Sequence, residues 1–248
     1  MRATGDADSP FWWHGMTADG EVHVAFTSVR AGNLARHVGE QQRDAVASRR
    51  RGLEAHMGVG SGTLRFLDQV HSALVLDAAE HPADSAHAPT GDAWISRGGA
   101  EPLAVMVADC LPVLLVGQGQ GSAPLITGAA HAGREGLIGG VLENTVTAMR
   151  EHGAESVQAW VGPGVCGSCY EVPAAMHEEL GTVRPALASQ TTWGTPALDL
   201  RSEAEEILRE LGAGIAELAG CTLEDETLYS HRRAPGEGRF AGLVWRAR

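Results

Sequence analysis

Apolar and polar positions alternate with a period of two in EVHVAFTSV (21–29), the signature of a half-buried strand. Short apolar runs at 103–107, 111–117, 124–130 and 157–161 read as further strands, and GRFAGLVWR (238–246) as a closing one. TLRFLDQVHSALVL (63–76) reads as two strand-like pieces joined near Gln69–His71. The period lengthens to 3.6 over 136–152, where Leu137, Ile138, Val141, Leu142, Val146 and Met149 share one face and Gly153 supplies a stop. A second helix is expected from Ser202, which forms a capping box with Glu205, to about Ala219. The polar segment 39–57, with Arg49-Arg50-Arg51, predicts a solvated helix. HPADSAHAPTGDAW (81–94) and GCTLEDETLYSHRR (220–233) carry the turn formers of loops. Neither a repeat nor a linker divides the chain, so residues 1–248 are expected to form one domain.

Composition narrows the possibilities. No apolar run approaches the roughly 18 residues of a membrane span, and the N-terminus lacks the apolar core of a secretory signal. Four cysteines in 248 residues do not make a disulfide scaffold, so a reduced, cytoplasmic protein is expected. A net charge of −12 argues against nucleic-acid binding. All 19 basic residues are arginine. Schiff-base chemistry on lysine and a P-loop lysine are therefore excluded, and any bound anion falls to Arg, His or backbone N–H groups.

VMVADCLPVLL (105–115) sets Asp109 and Cys110 between two apolar runs, although an unpaired buried charge is costly. His71, Cys110 and His131 each follow an apolar run, so three strand ends could bring them together. Two imidazoles and a thiolate suit a catalytic zinc with an open fourth position. They equally suit a thiolate nucleophile with a histidine base, or an inert thiol beside two structural histidines. HAGREG (131–136) opens the 136–152 helix with glycines whose N–H groups could face an anion. Cys166 and Cys169 form a CxxC pair in a Gly- and Pro-rich stretch that offers neither two further close ligands nor a thioredoxin-like helix start. His231, Arg232, Arg233 and Arg239 concentrate positive charge suited to holding phosphate or carboxylate. Asp92 is a candidate for orienting a histidine or touching substrate.

In combination, QVHS (69–72), GDAWIS (91–96), ADCLPVLL (108–115), HAGREG, GPGVCGSCYEV (162–172), WGTPALDLR (193–201), YSHRR and GRFAGLVW resemble, in order, the YfiH or laccase-domain proteins. Members of this family are variously called polyphenol oxidase, peptidoglycan-editing factor and purine nucleoside phosphorylase. The resemblance runs from about residue 22 to the end. It implies an α+β fold, a layered sandwich of mixed β-sheets with flanking helices. It also implies a metal-capable His–Cys–His site at His71, Cys110 and His131, taking zinc or copper. The implied activity is phosphorolysis of purine nucleosides (adenosine, inosine, methylthioadenosine), with adenosine deamination beside it. Purine nucleoside and phosphate are then the partners, and Asn33, Asp92, Arg232 and Arg233 the expected substrate contacts. A hydrolase editing a peptidoglycan precursor and a non-catalytic metal- or nucleotide-binding member are the alternatives. The chain departs from the family at Arg134-Glu135, where Trp and then a basic residue are usual, and in a shortened loop before Asn33.

Overall fold

The computed structural model describes residues 9–38, 43–83, 87–120 and 125–246. In chain order its first strands are β1 (Phe11–Met16), β2 (Val22–Thr27), β3 (Val75–Asp77), β4 (Ala93–Arg97), β5 (Leu103–Val107) and β6 (Leu111–Gln118). They are followed by β7 (Ile126–Ala132), β8 (Ser156–Val161), β9 (Ala188–Gln190), β10 (Pro196–Leu198), β11 (Gly214–Glu217) and β12 (Phe240–Arg246). The helices are α1 (Arg43–Met57), α2 (Arg134–Ile138), α3 (Val141–Glu151), α4 (Ala174–Val183) and α5 (Leu200–Glu210). An antiparallel sheet in the order β1-β2-β12-β5 faces a six-stranded mixed sheet, β11-β8-β6-β7-β4-β3, while β9 and β10 pair on their own.

The layers follow from which faces are apolar. Val22, Val24 and Phe26 of β2, with Val105 and Val244, pack on Trp94, Leu114, Val116 and Trp160 of the larger sheet. The other face of that sheet carries Val113, Leu115, Ala130 and Val161 and is covered by Leu142, Val146 and Met149 of α3 and Ala204, Ile207 and Leu208 of α5. The outer face of the smaller sheet, Ala104, Met106, Leu243 and Trp245, lies under Leu53 and Met57 of α1. Helix, sheet, sheet, helix is the layered α+β sandwich expected. Strand β6 is buried on both faces, which is why its sequence is a continuous apolar run without alternation. Pro112 is tolerated in it because the pairing with β8 begins only at Val113.

Several elements differ from the sequence reading. The helix expected over 136–152 is two helices, because Gly140 takes φ 95° and starts a new turn. The second helix is capped three residues earlier than expected: Asp199, not Ser202, is the N-cap, and its carboxylate accepts from the Ser202 N–H at 3.1 Å. It also ends at Glu210, and 214–217, expected as helix, pair in parallel with β8. Within 63–76 only Val75–Asp77 forms a strand, and Ala93–Trp94, expected as loop, open β4. Strand β1 and helix α4 carry no strong periodicity; α4 buries none of its residues. Residues 39–42 of the helix expected over 39–57, 84–86 of the loop expected over 81–94 and 124 of the strand expected over 124–130 lie outside the described residues.

Candidate functional site

Strand register brings the chemistry to one end of the larger sheet. Cys110 immediately precedes β6, His131 is the penultimate residue of β7 opposite Pro112, and Asp92 immediately precedes β4. The pairing of Ala93 with Ala130 sets Asp92 beside His131, whose backbone N–H donates to the Asp92 carbonyl at 2.7 Å. His71 is not at a strand end as expected. It lies in the irregular segment before β3 with φ 62°.

Asp92 accounts for that conformation. Its carboxylate is wholly buried and accepts from the backbone N–H groups of His71 (3.0 Å) and Ser72 (2.6 Å) and from the Ser72 hydroxyl (2.7 Å). The same carboxylate accepts from His131 Nδ1 at 2.8 Å. Burial alone would raise its pKa, but the bonds from His131 and Ser72 outweigh burial and bring it to about 2. Asp92 thus positions His131 and the His71 segment, the orienting role weighed for it in the sequence, and it does not itself line the cavity.

With Nδ1 engaged, His131 turns Nε2 toward the sulfur. His71 Nε2 lies 3.7 Å from Cys110 Sγ, the two imidazoles meet edge to face with centroids 4.8 Å apart, and all three donor atoms lie within 4.8 Å of one another. Burial would push the Cys110 thiol up, yet the charges and hydrogen bonds of His131 and His71 bring it down to about 6. The reciprocal effect outweighs burial at His131, raising it to about 9, and His71 is raised chiefly by its bond to Cys110.

Asp109 answers the question its buried position raised. It takes φ 87°, and its carboxylate accepts from Thr222 Oγ1 (2.6 Å) and the Arg232 N–H (2.8 Å) while its carbonyl accepts from the Val165 N–H (2.9 Å). Pinned from three sides, this turn presents Cys110 to the cavity. The glycines of HAGREG are explained by space. A Cβ on Gly133 would stand 2.7 Å from His71 and 3.0 Å from the Cys110 sulfur, and one on Gly136 would stand 2.8 Å from the Ser72 carbonyl. Helix α2, at five residues, is too short to build the anion site considered from the sequence.

The trio opens into a cavity of about 360 Å³ whose walls include Gln69, Arg134, Tyr170, Arg232 and Arg239. Arg232 stands 4.5 Å over the Tyr170 ring. Arg239 and His231 belong to the basic cluster noted in the sequence; Gln69 and Tyr170 lie inside the motifs QVHS and GPGVCGSCYEV, where no role was expected of them individually. Gln69 locks the His71 segment to β5 through two bonds with the Met106 backbone, of 2.7 and 2.8 Å. Glu135 is exposed and paired with Arg134 at 3.0 Å, so the unusual acid is neutralised beside the cavity.

Two expected substrate contacts are placed elsewhere. Asn33 is buried, and its carboxamide is taken up by the Ala35 and Val38 carbonyls and the Ala35 and Arg239 N–H groups. Arg233 turns inward and donates to the carbonyls of Thr222, Leu223, Asp225 and Leu228. Neither lines the cavity, and both placements have one cause: polar side chains enclosed by the fold satisfy backbone groups first.

A model of the family described as multi-copper polyphenol oxidoreductase laccase matches residues 17–247. The chain belongs to this family. Within the laccase-like family it is 40% identical over 218 residues to a purine nucleoside phosphorylase of Streptomyces coelicolor, covering 86% of this chain and 87% of that one. It is 35% identical over 219 residues to the purine nucleoside phosphorylase YfiH of Escherichia coli, covering 86% and 85%. The crystal structure of a Neisseria meningitidis protein superposes with a TM-score of 0.80 at 30% identity, covering 97% of this chain and all (100%) of the other. The resemblance read from the motifs is therefore the right one. The site fits the metal chemistry the family name implies: one thiolate and two imidazoles converge, His131 keeps Nε2 available, and Gly133 leaves the space clear. That donor set suits zinc and copper alike. Among the described residues no helix is long and apolar enough to cross a membrane.

Proposed function

We propose that the chain is a purine nucleoside phosphorylase acting at the His71–Cys110–His131 pocket on adenosine, inosine or methylthioadenosine with inorganic phosphate. The observation that carries this reading is the joining, in one cavity, of a metal-capable trio with Arg134, Arg232, Arg239 and the Tyr170 ring. The naming of relatives at 35–40% identity supports it. His71, Cys110 and His131 would hold zinc or copper, which when bound supplies a Lewis acid able to polarise an oxygen or lower the pKa of a water. The arginines hold phosphate, their fixed charge and fork geometry matching its oxygens. Tyr170, with Arg232 over its ring, forms a wall of the cavity against which the purine would pack. A phosphate oxygen then attacks the ribose anomeric carbon, the glycosidic bond breaks, and its electron pair leaves with the base, which takes up a proton. The products are free purine and ribose 1-phosphate, or 5-methylthioribose 1-phosphate from methylthioadenosine. Adenosine deamination in the same pocket, exchanging water for ammonia at the purine amine, is part of the proposal.

A second reading has its own observation. Metal-free Cys110, brought to about 6 beside two histidines, is a thiolate nucleophile fit for hydrolysis of a cell-wall precursor. One experiment separates the two: free-base release from each nucleoside with and without phosphate, in wild type and Cys110→Ala, with metal content measured on the same samples. Phosphate-dependent release, lost in the variant, is expected. Metal bound with no nucleoside turned over sinks the phosphorylase and leaves a binding protein. Covalent capture of Cys110 by an activated acyl substrate, independent of metal, favours the hydrolase.

A further inference from the structure

Behind the cavity wall, the CxxC pair has the partners that the sequence did not reveal. Cys166 and Cys169 stand at the ends of a tight turn closed by bonds of 2.9 Å from the Cys169 and Tyr170 N–H groups to the Cys166 carbonyl. A second turn, Cys221–Glu224, faces it. There the Asp225 N–H donates to the Cys221 carbonyl at 2.9 Å, and the Thr222 N–H donates across to Gly164 at 3.0 Å. One donor atom from each of Cys166, Cys169, Cys221 and Glu224 lies within 4.8 Å of the other three. All three cysteines are free thiols, two of them buried, and Glu224 is exposed.

We propose that Cys166, Cys169, Cys221 and Glu224 form a second, structural metal site, of the three-thiolate, one-carboxylate kind that takes zinc. Two ligands 2.3 Å from a tetrahedral zinc stand about 3.8 Å apart, so the cluster needs to contract by about 1 Å at most. Binding displaces three thiol protons to solvent and leaves three thiolates and a carboxylate around a dication. The surplus negative charge has compensation in place. The Cys166 N–H points at the Cys221 sulfur at 3.4 Å, and the Arg233 guanidinium donates to the carbonyls of Thr222, Leu223 and Asp225 on the same turn. The exposed carboxylate leaves an entry path, and a closed set of four protein ligands marks a structural site, not a catalytic one. What such an ion ties together is the cavity wall. One turn runs directly into Tyr170, and the other carries Thr222, which holds Asp109 at 2.6 Å, and leads to Arg232. The site is independent of whatever reaction takes place at Cys110.

The test uses Cys110→Ala, which removes the thiolate of the first site and leaves the second untouched. Purified under reducing conditions, this variant is expected to retain one zinc per chain. Reconstituted with cobalt(II), it should show an intense sulfur-to-cobalt charge-transfer band. Adding Cys221→Ser should reduce that band by about a third or abolish it. Should that chain fail to fold, the exposed Glu224→Ala on the Cys110→Ala background keeps the thiols and should shift the visible cobalt bands while the charge-transfer band persists. A Cys110→Ala protein without zinc or cobalt–thiolate absorption overturns the proposal, as does a disulfide among the three cysteines in freshly purified protein. An unchanged spectrum in Glu224→Ala overturns the four-ligand set.

Discussion

Asp92 holds His131 through Nδ1 at 2.8 Å, and its own backbone carbonyl receives the His131 N–H at 2.7 Å. Because the same carboxylate also fixes the backbone of His71, one buried acid orients two of the three donors in the site. Asp92→Asn keeps the shape and removes the charge. Its amide can accept from only one side, so either His131 or the 70–72 segment loses a partner. Outer-shell losses of this kind typically cost 10–100-fold in metal affinity. Competition against a chromogenic chelator should show a weakening in that range, with the far-UV spectrum unchanged; wild-type affinity would remove Asp92 from this role.

The thiol of Cys110 gives a pH signature in metal-free protein. Its pKa is lowered to about 6, so the thiolate is the major form above that pH and is lost as pH falls through it. Alkylation by iodoacetamide should therefore rise with pH around a midpoint of about 6, where an ordinary cysteine has about 8.5. The lowering comes mainly from His131, so His131→Gln should move the midpoint upward by more than one unit. A wild-type midpoint above 8 would contradict the electrostatic account.

Gly133 tests the site by volume alone. Its φ of −74° is open to any residue, so alanine brings no backbone strain. The added methyl would nonetheless meet His71 at 2.7 Å and the Cys110 sulfur at 3.0 Å. Gly133→Ala should leave the melting temperature within a few degrees of wild type and reduce metal affinity about tenfold or more. Equal loss of both would mean that the glycine serves the fold.

Much of this architecture was legible in the sequence because burial is a strong, local signal. The runs at 103–107 and 111–117 are strands, since β5 and β6 are apolar on both faces. Cys110 and His131 could be picked out because they interrupt or end such runs. His71 was legible through its motif more than its setting, since an irregular segment held by a distant carboxylate has no periodicity. That Asn33 and Arg233 spend their hydrogen bonds on backbone groups is not legible, because residue type shows hydrogen-bonding capacity and not where it is spent. Glu224 was invisible beside Cys166 and Cys169, being 55 residues beyond Cys169. The helix over 136–152 was read through its break for a related reason: the apolar spacing continues across Gly139-Gly140, and only the backbone shows Gly140 at φ 95°. Gly140→Ala should accordingly destabilise the protein by roughly 1–2 kcal/mol, the cost of a left-handed non-glycine residue. Chemical denaturation would detect that, and a neutral result would mean the break relaxes into one helix.

The adjacent arginines 232 and 233 should separate function from stability. Arg233 donates to four backbone carbonyls of the 222–228 loop, including Thr222 at 2.6 Å, whose hydroxyl in turn holds Asp109. Truncation leaves those acceptors unpaired, so Arg233→Ala should lose about 2 kcal/mol of stability, read by denaturant unfolding. The Arg232 guanidinium is exposed against Tyr170, and it is only the backbone N–H of this residue that binds Asp109 at 2.8 Å. A backbone donor survives truncation. Arg232→Ala should therefore leave stability within about 0.5 kcal/mol while, in the phosphorolysis we propose, raising the KM for phosphate about tenfold, the loss of one charge-assisted contact. The reverse pattern, a stable Arg233→Ala protein with impaired phosphate use, would assign the anion to the inward-facing arginine and overturn this division.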